Sequence, residues 1–85
     1  MSEHTLLALA SIIIAGLTMA LGALGAALGE SRIGAASMDA LARQPDEASS
    51  ITRNQFVALA MVESTAIFCL VIALVLLFAN PFMEG

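Results

Sequence analysis

The sequence has no lysine, tryptophan or tyrosine, and apart from His4 its basic side chains are Arg32, Arg43 and Arg53. Without lysine there can be no phosphate-binding Gly-rich loop ending in Lys, so nucleotide chemistry of that kind is excluded. A basic surface interleaved with aromatics is missing too, which excludes a nucleic-acid partner. Cys69 is the only cysteine; it has no intrachain disulfide partner and reads as a small packing residue in an apolar stretch. Of the two prolines, Pro45 lies between the long apolar runs and Pro81 follows the second, so neither interrupts a helix built on them. The first residues bring Glu3 and no Lys or Arg, and the apolar run after them is too long for a signal core, which argues against a cleaved secretion signal.

Hydrocarbon takes the place of these residues. At 85 residues, 60% hydrophobic and a mean hydropathy of +0.97, the chain is too short and too apolar for a soluble domain with its own core. Residues 6–28 and 56–79 are each long enough to cross the bilayer, which takes about 20 apolar residues as a helix. Two strands could not close a barrel, so both spans are predicted helical. Pro45 forces the residue before it out of helical geometry and marks the turn. The pattern predicts a single all-α membrane hairpin: a first helix over 5–42, a polar loop over 43–48, and a second helix over 49–79 ended by Asn80 and Pro81. Asp46, Ser49 and Ser50 offer N-cap oxygens for the second helix. All three arginines lie between the spans, so the positive-inside rule puts the loop in the cytoplasm and both termini on the far side.

Glu63 is the most telling residue, an acid inside the second apolar run. A carboxylate at bilayer depth costs about 2.5–3.5 kcal/mol on insertion scales, so such a residue usually exists for what it binds. Glu30 closes the first run. Counted from Pro45, the two acids are about 15 and about 18 residues away, so at about 1.5 Å per residue an antiparallel hairpin sets them at similar depth. Two carboxyls in contact titrate as a coupled pair. Around Glu63 stand the Val62 carbonyl and the Ser64 and Thr65 hydroxyls, which are possible further ion ligands.

Small residues mark the first helix. Gly22, Gly25 and Gly29 fall on one stripe, while Gly16, Ala20, Ala23, Ala27 and Glu30 fall on another about 130° away. In lipid such stripes drive association through close backbone packing. Two of them on different sides suit a closed ring of identical chains, each helix with a neighbour on either hand. The second helix carries bulky Leu, Ile, Val and Phe throughout and is expected to face lipid.

The run Ala42-Arg43-Gln44-Pro45 between two helices, the small-residue stripe before it, Val62-Glu63-Ser64-Thr65, and Leu76-Leu77-Phe78-Ala79-Asn80-Pro81-Phe82 closely resemble the ring-forming c subunit of F-type rotary ATP synthases. The resemblance covers nearly the whole chain. It implies hairpins arranged as a ring in a bacterial-type inner membrane, each ring carboxylate exchanging an ion with two half-channels in the neighbouring stator subunit, called a. Carried over, Glu63 is the ion carrier, and Arg43, Gln44 and Pro45 touch the central-stalk subunits. Glu30 falls where sodium-binding members have Gln, and a carboxylate there is similar to the N-type subgroup, with a pair of acids in each hairpin. The family's alternating glycine motif reads Ala23, Gly25, Ala27, Gly29, and the larger side chains favour a larger ring.

Ion identity is contested by the residues themselves. Val62, Ser64 and Thr65 match the pattern of sodium-binding rings, whereas Phe68 stands where such rings often carry a Tyr whose hydroxyl steadies the ligating carboxylate. A lipid-facing acid pair needs either two protons, or one proton plus Na⁺, to reach neutrality. The expectation is an H⁺ ring using Glu63 and Glu30, with Na⁺ at Glu63, Glu30, Val62, Ser64 and Thr65 as the alternative. No cofactor and no resident metal are expected, and the chain has no catalytic site of its own. The resemblance implies as partners identical subunits, the stator with its half-channels, the central stalk and membrane lipid. Rivals from other classes are a small drug-exporting oligomer, which two spans and the Arg43-Gln44-Pro45 loop fit badly, and a holin-like oligomer, which has no use for two intramembrane acids.

Overall fold

The computed structural model describes residues 2–83, which form a two-helix antiparallel hairpin. Helix α1 spans Glu3–Arg43 and helix α2 spans Ala48–Phe78, with short 3-10 turns at Pro45–Glu47 and Pro81–Met83. The molecule measures 64 × 16 × 9 Å. Its length is that of α1 alone, whose 41 residues at about 1.5 Å each span about 62 Å. That is roughly twice the ~30 Å hydrocarbon layer, so a substantial part of the rod stands outside it.

Local chemistry sets the ends. Ser2 is extended, and its hydroxyl accepts from the Thr5 amide at 3.1 Å, while Glu3 places an acid in the first turn. This cap starts α1 two residues before the position predicted from the hydropathy pattern. At the other end Gln44 leaves the helical region, which the following proline disfavours, with φ −133° and ψ 70°, and its amide donates to the Ala40 carbonyl. The expected side-chain caps of the second helix are not used. The turn at Pro45–Glu47 feeds directly into α2, the Ala48 amide donating to the Pro45 carbonyl, and Glu47 at the N-cap makes no side-chain cap.

The two helices meet through small side chains. Among the described residues the buried apolar ones are Ala15, Ala26 and Ala73, and on α1 the α2-facing line continues through Gly22 and Gly29. A Cβ on Gly22 would lie 2.7 Å from the Cys69 sulfur, and one on Gly29 would lie 3.4 Å from a Val62 methyl. The hairpin is therefore held by close van der Waals approach of backbones, the usual source of helix association where lipid removes any hydrophobic drive. The bulky side chains point outward on both helices, Ile12, Leu21 and Leu24 on α1 as well as Ile67, Phe68 and Ile72 on α2.

At the end away from the loop the helices are joined by a polar contact. Asn80 is buried; its side-chain amide donates to the Ser11 hydroxyl and to the Leu76 carbonyl, and its oxygen accepts from the Phe82 amide at 2.9 Å. Asn80→Ala is expected to lower hairpin stability by about 0.6–2 kcal/mol, the range for interhelical hydrogen bonds in membranes. The midpoint of reversible unfolding in mixed detergent micelles reads this, and an unchanged midpoint would show that the contact contributes nothing.

Candidate ion-binding site

Glu30 on α1 and Glu63 on α2 line one groove of about 250 Å³ on the flank of the hairpin. The contact beside them explains the meeting. Gly29 packs on Val62, and the next residue on each helix is an acid, so the register that seats Val62 against a missing Cβ also brings the two carboxyls together. Both carboxyls belong to the lining of this one groove. The rest of the groove is Met19, Ala23, Ala26, Ala27, Ala66, Ile67 and Leu70, which supply no polar side chain. Glu30 is half-buried and Glu63 exposed, and the groove opens sideways, away from the α1–α2 contact.

The other candidate ligands do not converge on Glu63 within one chain. The Ser64 hydroxyl donates to the Ala60 carbonyl of its own helix at 2.9 Å. Val62 turns towards α1, and its carbonyl belongs to the unbroken helix Ala48–Phe78. Thr65 comes two residues after Glu63, about 200° round the helix, which puts it on the opposite flank. Consecutive positions in the sequence thus serve three different directions.

The small residues divide as well. Gly22 and Gly29 contact α2 of the same chain, whereas Gly16 and Gly25 have no atom within 4 Å of the position of a Cβ. Ala20, Ala23 and Ala27 are exposed with Gly16 and Gly25. Cys69, expected to be a small packing residue, sits against Gly22. Sequence reasoning missed Ala15 and Ala26 as hairpin contacts, and Ser11 with Asn80; the four- and seven-residue spacing of Ser11, Ala15, Gly22 and Ala26 is the signal that points to those on α1. Arg43, Gln44 and Pro45 sit exposed at the loop, with Arg43 paired to Asp39 at 3.4 Å. A pair so exposed adds little stability.

Comparison with known proteins identifies the family. Residues 13–76 match the protein family described as the C subunit of ATP synthase. The chain is 58% identical over 74 residues to the ATP synthase "c 2" subunit of Cereibacter sphaeroides, covering 87% of this chain and 89% of that one. It is 51% identical over 73 residues to the ATP synthase c subunit of a Synechococcus species, covering 86% and 90% of the two chains. With the ATP synthase c subunit of Petrotoga mobilis the identity is 45% over 73 residues, covering 86% of this chain and 76% of the relative. Matched over most of its length, including both helices and the loop, the chain belongs to the family of ATP synthase c subunits.

Proposed function

We propose that this chain forms a proton-carrying rotor ring in which Glu63 exchanges the ion and Glu30 is its permanent hydrogen-bonding partner. As a member of the c family it is an integral, non-catalytic membrane subunit that assembles into a ring and works with the stator and the stalk. The observation carrying the proton reading is the meeting of two carboxyls in a groove without another polar side chain. Facing lipid, such a pair must be neutral, and two protons achieve this without a cation cage. Glu30 stays protonated and donates to Glu63 when Glu63 is ionised at a half-channel of the stator. Glu63 takes up its next proton from the other half-channel, and the hairpin returns to lipid uncharged.

One feature weighs against Na⁺ in the same site. Phe68 offers no hydroxyl to steady the ligating carboxylate, whereas the Ser64 hydroxyl, donating to the Ala60 carbonyl, keeps its lone pairs. A sodium ring would need Val62, Ser64 and Thr65 to act as ligands with Glu63 and Glu30. The paired acids fit an N-type rotary ATPase. The exposed Gly16, Ala20, Ala23, Gly25 and Ala27 supply the contacts to neighbouring hairpins, with Ala23 and Ala27 favouring a larger ring. Arg43, Gln44 and Pro45 engage the central stalk from the cytoplasmic side of a bacterial-type inner membrane, and both termini lie opposite.

Carbodiimide modification tests the ion, because the reagent needs a protonated carboxyl. A proton site should label at Glu63 at a rate set by pH alone. Strong protection by sodium at constant pH and ionic strength would overturn the proton assignment and make Val62, Ser64 and Thr65 true ligands.

A further inference from the structure

Arg53 stands apart from the ion site and the loop. Ile51 and Gln55 on the α1-facing side of α2 are half-buried, and Arg53, exposed, lies two residues from each. Two residues are about 200° of helix rotation, so Arg53 projects directly away from α1. Ser49 is one turn nearer the loop on that line, and Phe56 and Val57 are one turn deeper. With Thr52 they line a shallow surface groove, in which Phe56 and Val57 are 68% and 54% exposed.

The depth of this groove is set by the apolar run. Arg53 precedes its first residue, Phe56, by about 4.5 Å along the axis. Its guanidinium therefore stands in the headgroup layer, with hydroxyls on the water side and apolar surface on the lipid side. Among the described residues the one ion pair joins Arg43 to Asp39, and no acid lines the groove around Arg53. In a chain of net charge −4 this strip is locally positive.

We propose that the groove at Arg53 binds the phosphate of an anionic glycerophospholipid from the loop-side leaflet. The guanidinium fork matches two phosphate oxygens, which a point charge does not. Ser49 and Thr52 donate hydroxyl protons to the same headgroup, and the acyl chains run down over Phe56 and Val57. The proposal rests on the rotor reading in one respect, that α2 forms the outer wall of the ring.

The test uses purified rings in nanodiscs containing spin-labelled phosphatidylglycerol or phosphatidylcholine, scored as the motionally restricted fraction of each. Wild-type rings are expected to prefer the anionic lipid about fivefold, as one interfacial basic residue allows, and to lose that preference in high salt. Arg53→Gln should abolish the preference. Arg53→Lys should keep part of it, and Arg43→Gln, which removes an equal charge at the loop, should keep all of it. No preference in the wild type, or an undiminished one in Arg53→Gln, overturns the proposal. Intact mass of the same samples separates the two readings: a missing ring with an Arg53-dependent lipid preference counts against the rotor alone, and an intact ring with an Arg53-independent preference counts against the lipid site alone.

Discussion

Glu63→Gln should abolish ion-coupled turnover while leaving the ring assembled. The amide keeps the shape of the carboxyl and its place in the groove beside Ala66 and Ile67, so packing is undisturbed. What it loses is an exchangeable proton, and nothing else in the groove can replace it except Glu30. Glu30 is half-buried on α1, and in the proposed cycle it keeps its proton. ATP-driven acidification of vesicles should therefore fall to background, with a normal ring on intact-mass analysis. Glu30→Gln is the informative contrast. A glutamine still donates a hydrogen bond, so coupled turnover should persist at a reduced rate. Coupling that survives in an assembled Glu63→Gln ring would remove the central assignment, and equal loss in both variants would mean that both carboxyls are exchanged.

The second large effect is expected at Gly22. A Cβ there would sit 2.7 Å from the sulfur and 2.8 Å from the Cβ of Cys69. Carbon atoms pack at about 3.5–4.0 Å, and a Cβ cannot swing aside as the end of a long side chain can. Gly22→Ala must therefore push the helices apart, at a cost of about 1–3 kcal/mol for overpacking. Cys69→Gly should relieve it by exchanging the knob and the hole, so the double variant should be more stable than Gly22→Ala alone. Reversible unfolding in mixed micelles measures this coupling, and strictly additive single effects would show that the two residues do not meet. Gly25 provides the control. Within one hairpin nothing lies near its missing Cβ. Gly25→Leu should leave the hairpin intact and instead prevent ring closure, the outcome expected if that face meets a neighbour.

Much of this arrangement is legible in the sequence because counting residues suffices for it. Two apolar runs, one proline between them and an acid at matching distance from that proline define a hairpin and the level at which its carboxyls meet. The division of the small residues is not legible. Gly22, Gly25 and Gly29 form one stripe on a helical wheel, but a stripe of that width spans both a partner helix and the gap beside it. The direction of α2 decides that Gly22 and Gly29 lie inside while Gly25 lies outside. Asn80 reads locally as a helix stop, since an Asn before Pro has that explanation ready to hand, and its contact with Ser11 joins residues at opposite ends of the sequence. The adjacency of Val62, Ser64 and Thr65 to Glu63 does not by itself say which of them share a site with it, because each residue turns the helix by about 100°.

The hairpin is tied covalently at Pro45–Glu47, clasped at the other end by Ser11 and Asn80, and seated at Gly29 and Val62 immediately beside the acids. The helices therefore have no hinge near the carboxyls, and α2 runs through Glu63 without a break. Exchange of an ion then requires only rotation of a side chain, a picosecond-to-nanosecond event, rather than the microsecond-to-millisecond displacement of a helix. A rotor built this way is clocked by ion delivery and by rotational drag, with no conformational step of its own to wait for.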